Sequence, residues 1–346
     1  MMKEIYIVAA KQISVQKPLV EDWIDAPERY DEPYVRSIDP DYKQYLPANT
    51  VRRLGKILKR ALLTSRQLLN ECGIASPDAI ITSTGLGCIE NTEMFLDALV
   101  REGEELLKPT HFMQSTHNTI GSLIAIDARC HGYNCTYTHK GVSFENALVD
   151  AFIQLKSGQI NTALVGAHDE MTPNYFVLLK RIGYLGRAVN GFSGETALSM
   201  MLGTNRNQTA LCRLRGIEMC YRPDKEELAK ALDLFLKNTG CRLDDIDAVM
   251  TGYNGEQLND CVYTENCRLL FPDKKIIRYK HLFGESYTAS GLGVYASAVL
   301  LSQNRIPARF FVNAQQESLT GIKHILFYNQ FENKNHSFIL LSSCGD

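Results

Sequence analysis

Apolar positions along the chain follow two periods in turn, and the alternation predicts strands and helices one after another. Residues 5–10 (IYIVAA) form an unbroken apolar run of strand length. The stretch that follows, to about residue 49, is rich in Pro, Asp and Tyr, the composition of an extended loop. From 51 to 72 (VRRLGKILKRALLTSRQLLNEC) apolar residues recur at helical spacing with Arg and Lys between them, and Gly73 stops the helix. A strand at 79–84 (AIITST) leads through a glycine-bearing loop into the amphipathic helix of GLGCIENTEMFLDALVREG. Residues 117–132 (HNTIGSLIAIDARCHG) predict another apolar helix, followed by strand YNCTYTH, helix VSFENALVDAFIQLKSG and strand TALVGAH. Strands alternating with helices predict an α/β fold with crossover connections.

After 196–203 (TALSMMLG) and the polar break TNRNQ, the order partly repeats. A strand in ALCRLRGIEM, helix KEELAKALDLFLKNTG, strand AVMTGY, a helix over about 256–270, strand KIIRY, helix YTASGLGVYASAVLLSQ and a last strand HSFILLSS complete the chain. Two similar halves, 1–204 and 205–346, predict an internal duplication within one compact body. The segments 142–157 and 287–303 hold equivalent places in the two halves and are apolar nearly all round, the pattern of central helices sandwiched between sheets.

Composition narrows the function classes. The 346 residues are 45% apolar and 22% charged, ample for a sizeable core. Net charge is −2, with acids and bases interspersed, so no nucleic-acid footprint shows. No apolar stretch approaches the ~18 residues of a membrane span, and no signal-peptide pattern opens the chain, so a cytoplasmic location is expected. The ten dispersed cysteines of so long a chain are expected to be reduced thiols. Cys130, Cys135 and His139 lack the second cysteine pair of a zinc site, and no metal or cofactor is expected.

The stretch THKGVSFENAL (138–148) reads as a strand end turning into a helix start, with Gly141 where a nucleophile would be sought. Around it, a series of motifs in order resembles the β-ketoacyl-acyl carrier protein synthases of the thiolase-like superfamily along almost the whole chain. RRLGKILKRALLTSRQLLNECGI is similar to that family's first long helix, and STGLGCIENTEMFLDAL to its strand with a glycine-rich turn. LVDAFIQLKSGQINTALVGAHDE resembles the segment after the nucleophile, and GFSGETALSMML the strand entry Gly-Phe-x-x-Gly-Glu-Gly-Ala. LDDIDAVMTGYNG is similar to the run before the first catalytic His, and KHLFGESYTASGLG to the Lys-bearing segment that carries the second. The resemblance implies a duplicated αβαβα layered sandwich with mixed five-stranded sheets. It also implies a decarboxylative condensation run by a Cys and two His on chains borne by acyl carrier protein. The thiolate would need a helix N-terminus and the imidazoles a dry pocket.

Carried over residue by residue, the triad is absent. Anchored on Gly158, the Cys position falls on Gly141; anchored on Asn259 and Asp260, the first His position falls on Gly252. Anchored on Lys280, Gly284 and Gly291, the second falls on Glu285, with His281 four residues earlier. The family's Gly-Phe-Gly-Gly-Thr-Asn loop aligns with QFENKN at 330–335, which has none of its glycines, so backbone needing positive φ is expected to be rebuilt there. Lys280 is a candidate ion-pair partner of Glu285 or Asp260, or a solvated strand-end lysine. His117 and Asn118 read as a capping pair at a helix start, in a segment that resembles the family's dimer and pocket wall.

Three functions stay open. One is a catalytically silent subunit like the chain-length factors, which pair with an active ketosynthase and lack the Cys. The second is a divergent acyl-thioester transferase or hydrolase using Ser143, His139 or Glu285. The third is a homodimeric binder of acyl chains or acyl carrier protein.

Overall fold

The computed structural model describes residues 3–104, 107–183, 191–206 and 210–345. Its strands are β1 (Ile5–Ile13), β2 (Ala79–Ser83), β3 (Tyr133–Tyr137), β4 (Thr162–Asp169), β5 (Thr196–Gly203), β6 (Cys212–Tyr221), β7 (Ala248–Thr251), β8 (Ile276–Arg278), β9 (Arg305–Ile306), β10 (Leu319–Thr320), β11 (His324–Phe331) and β12 (Asn335–Ser342). Its α-helices are α1 (Ala48–Arg53), α2 (Lys56–Cys72), α3 (Ile89–Glu102), α4 (Pro109–Ser115), α5 (Thr119–Asp127), α6 (Ser143–Ser157), α7 (Pro173–Arg181), α8 (Lys225–Thr239), α9 (Gln257–Leu270), α10 (Lys280–Phe283) and α11 (Ala289–Ser302).

Ten strands follow one hydrogen-bonded order, β3-β2-β4-β5-β1-β6-β12-β11-β7-β8. The order reads the same from either end once β1–β5 are matched to β6, β7, β8, β11 and β12, as a duplication requires. Five strands lie on each side of the β1–β6 junction, which is held by only three residue pairs, Ile5 to Ile7 against Leu214 to Cys212. Side chains of β1 alternate: Ile5 and Ile7 join the central core with α6 and α11, while Tyr6 and Val8 pack under α2 and α5. On the far side, α8 and α9 cover Val249, Leu326 and Phe338 in a third core. With the central core lying on both faces of the α6–α11 layer, these cores hold five layers together, the thiolase-like αβαβα sandwich that the resemblance implied.

Local sequence explains most boundaries. Gly73 closes α2 in the left-handed conformation at φ 64°, and Asp224 opens α8 in a reciprocal cap with Glu227. The helix expected over 51–72 is interrupted, because Leu54 is extended and Gly55 presses against Asn91, where a Cβ would lie 2.5 Å from Nδ2. The helix expected at 117–132 covers only Thr119–Asp127. The periodicity missed α4, and it missed β11, whose run HILFYNQF pairs with β12 along its length. Helix α11 is buried from Ala289 to Leu301, as its composition requires. Helix α6 is not buried all round: Ile153 stands 58% exposed on its outer face. In the polar break, Asn207 and Gln208 lie outside the described residues. Among the described residues, no helix is long and apolar enough to cross a membrane.

Candidate functional site

The turn between β3 and α6 is an elbow. One turn of 3-10 helix at Lys140–Val142 precedes Ser143, and Lys140 takes a left-handed φ of 48°. Gly141 itself is not left-handed, and neither is Gly252 at the end of β7. Backbone conformation therefore does not demand glycine at either position, but space does. A Cβ on Gly141 would lie 2.2 Å from Cδ2 of Phe331, at the tip of β11, and one on Gly252 would lie 2.4 Å from Oη of Tyr263 in α9.

Glu285 follows Gly284, whose φ of 74° turns the chain between α10 and α11. Its Oε2 accepts from Nζ of the buried Lys280 at 2.7 Å and from Nδ2 of Asn254 at 2.7 Å. The ion pair is the Lys280–Glu285 alternative of the sequence reading, and Lys280 is not a solvated strand-end lysine. Gly141, Lys280 and Glu285 line one cleft of about 340 Å³ with Asn254, Ser290, Asn329, Gln330 and Phe331. Among the described residues no cysteine or histidine lines it.

Beneath the cleft a polar chain runs through side chains that periodicity did not single out. Glu145, one turn into α6 and fully buried, accepts from Asn329 Nδ2 at 2.7 Å and from Ser290 Oγ at 3.0 Å. Asn329 Oδ1 accepts from Tyr263 Oη at 3.0 Å, and that oxygen takes the Gln330 N–H at 3.1 Å. Gln330 Nε2 donates to Asn259 Oδ1, and Asn259 Nδ2 to Asn254 Oδ1, at 2.8 and 2.9 Å. Burial pushes the Glu145 carboxyl up to about 7, against the pull of its hydrogen bonds from Asn329 and Ser290. The strongest donors at the cleft, Lys280, Asn254 and Asn329, thus already serve Glu285 or Glu145, and an oxyanion above Gly141 would find them engaged. Glu145 left one signal in the sequence, a lone acid among the positions that α6 buries.

The alternative nucleophile does not reach this cleft. Ser143 is completely buried, and its Oγ accepts the His139 N–H at 2.7 Å while facing the carbonyls of Lys140 (2.8 Å) and Thr84 (3.0 Å). The hydroxyl braces the elbow, and His139 presents its backbone to it while its exposed ring lies 3.5 Å from Asn146 Nδ2. Ser143 and His139 therefore do not face each other through their reactive groups: helix geometry buries the first and turns the ring of the second outward. Replacing Ser143 with Ala is expected to cost about 1–2 kcal/mol in urea unfolding, the value of a buried hydroxyl with several partners. A larger loss in any acyl-transfer assay than in stability would contradict this bracing role.

Other candidates also settle. The His281 ring packs edge-on to Phe310, away from the cleft lining, and burial drives its pKa down to about 3, helped by Arg278 and Arg309. Asn118 stands at the N-cap of α5 but makes no side-chain capping bond, and His117 packs against Gly87. The turn between β11 and β12 has two left-handed residues, Glu332 (φ 54°) and Asn333 (φ 51°), without glycine. Among the described residues, no three His, Cys, Asp or Glu side chains gather to hold a metal ion.

No curated protein matches the chain by sequence. Among solved structures, the ishigamide ketosynthase/chain length factor superposes with a TM-score of 0.84 at 17% identity, covering 100% of both chains. A ketosynthase (ApeO) in complex with its chain length factor (ApeC) from Xenorhabdus doucetiae gives 0.83 at 14% identity, covering 99% of this chain and 98% of that one. A type II polyketide synthase structure, AntDE:AntF, with an acyl-carrier protein in complex with its ketosynthase bound to the hexaketide, gives 0.82 at 12% identity over 99% and 100%. At such identities these likenesses speak for the fold. The family model of the β-ketoacyl synthase N-terminal domain matches residues 22–239, well over half of the sequence. The chain belongs to the β-ketoacyl synthase family.

Proposed function

We propose that this protein is a catalytically silent, chain-length-factor-like subunit that partners an active β-ketoacyl synthase in building acyl chains carried on acyl carrier protein. Residues 1–204 and 205–346 are its two repeats. The observation that carries the reading is the centre itself: a cleft in a ketosynthase fold whose elbow holds Gly141 and whose lining, among the described residues, offers neither thiol nor imidazole. A condensing enzyme needs a nucleophile to hold the acyl group and donors free to steady the enolate. Here the Lys280–Glu285 pair and the Asn254, Asn259 and Gln330 chain are satisfied among themselves.

A surface for the partner is supported by the free edge of the sheet. Strand β3 ends the order, its first residues Tyr133 and Asn134 are exposed, and Ile126, Met113 and Phe112 stand in solvent on α5 and α4. An edge strand flanked by exposed apolar residues is an energetic liability that a second subunit removes.

Two measurements test the reading. Incubated with acyl- and malonyl-carrier protein, the purified protein is expected to show no covalent adduct by mass spectrometry and no release of carbon dioxide; an acyl group on any cysteine or on Ser143 would sink it. Co-expressed with a catalytic ketosynthase encoded beside it, the protein is expected to copurify. Met113→Asp with Ile126→Asp should then weaken retention at least ~10-fold. Both side chains are exposed, so stability should move by less than ~0.5 kcal/mol.

A further inference from the structure

We propose that positions 141 and 252 are filled rather than merely emptied: Phe331 and Tyr263 occupy the volumes in which side chains at 141 and 252 would stand, so that each glycine and its aromatic partner form one interlocked pair. Three observations carry this. Neither glycine has a left-handed backbone, so any residue could adopt the chain path, and only the surroundings exclude one. The obstruction at 141 is the body of a ring, with Cδ2, Cγ and Cε2 of Phe331 at 2.2, 2.6 and 2.7 Å from the site of a Cβ, not a mobile tip. Both aromatics also have neighbours, although Phe331 is half-buried and borders the cleft. Phe331 ends a strand that pairs residue for residue with β12, and its ring lies edge-on to Tyr287 at 6.3 Å. Tyr263 is fully buried, with its Oη held between Asn329 and the Gln330 backbone.

A side chain introduced at 141 must therefore displace a ring anchored in the other half of the chain. Restoring a nucleophile takes two compensating changes, and no single substitution returns a reactive thiol to the elbow. The inference concerns packing within this subunit and is read without a partner, so it and the subunit reading fail on separate measurements.

The test compares Gly141→Cys, Phe331→Ala and the double variant in the full chain, by thermal unfolding and by iodoacetamide labelling mapped to residue 141. Gly141→Cys alone is expected to lower Tm by about 1–4 °C, the size of an overpacking penalty in a chain of this length, and its thiol should stay unlabelled. In the double variant the cysteine should label, and Tm should lie at least about 1 °C above the value obtained by adding the two single shifts. Additive shifts, or a freely labelled Gly141→Cys with wild-type Tm, would overturn the proposal. Should neither cysteine variant fold, the second pair decides. The loss caused by Gly252→Ala is expected to shrink in a Tyr263→Phe background, which lacks the obstructing hydroxyl, and an undiminished loss refutes the interlock.

Discussion

Arg60→Met is expected to lower stability by about 3–5 kcal/mol, the cost of leaving one side of a buried ion pair without its partner. Arg60 lies in α2 at 1% exposure, with Nη1 2.9 Å from Glu195 Oε2 and Nε 2.6 Å from Asp39 Oδ1. Glu195 also accepts the backbone N–H groups of Ser37 (2.8 Å) and Met171 (3.1 Å). One guanidinium thus ties the long N-terminal loop, the turn after β4 and the entry to β5 to a single helix. Glu195 is the acid of GFSGETALSMML, the motif similar to the family's strand entry, and its partners give that motif a structural role in this chain. Urea unfolding measures the effect. A loss below 1 kcal/mol would mean that water replaces the guanidinium, and that the cluster is far wetter than its burial indicates.

Glu145→Gln is expected to act in the opposite sense above neutrality. Burial lifts this carboxyl from 4.5 to about 7, so the folded protein holds the proton more tightly than the unfolded chain. The sign follows: whatever stability the neutral acid contributes is complete below pH ~4.5 and falls away as pH rises through about 7. Ionisation of so buried a group costs the fold ~3 kcal/mol by pH 8, an order of magnitude set by the lift itself. Gln keeps an acceptor for Asn329 Nδ2 and can donate to Ser290 without taking a charge. The stability difference between variant and wild type should therefore widen by ~2–3 kcal/mol between pH 4.5 and 8. Glu170, also pushed up to about 7 by burial, remains in both proteins and cancels in the difference. A gap independent of pH would show that Glu145 ionises as an ordinary acid, with water reaching it through the cleft.

Neither effect could be sized from the sequence, and the reason is the same in both. The charged residues are legible, but what each one faces is decided by segments far along the chain: Arg60 meets Glu195, and Glu145 meets Asn329. Ser143 taught the converse. Its spacing from Gly141 suited a displaced nucleophile, yet a first-turn serine in a tight elbow has carbonyls within reach and spends its hydroxyl on them. Strand β11 escaped notice because its aromatic and amide residues HILFYNQF pack on both faces inside the sheet, where alternation vanishes.

By itself the sequence determined the alternation of strands and helices, the duplication, the uncharged and mostly apolar α11 and the elbow at 138–148. These follow from local periodicity, turn residues and ordered motifs, which act over a few residues at a time. Tertiary structure alone decided what surrounds the two glycines and Glu285: Phe331 arrives 190 positions after Gly141, Tyr263 comes from the next helix after Gly252, and the Lys280–Glu285 pair closes on Asn254. Volume and hydrogen-bond satisfaction are properties of atoms that meet in space, and no spacing along the chain encodes which atoms those will be.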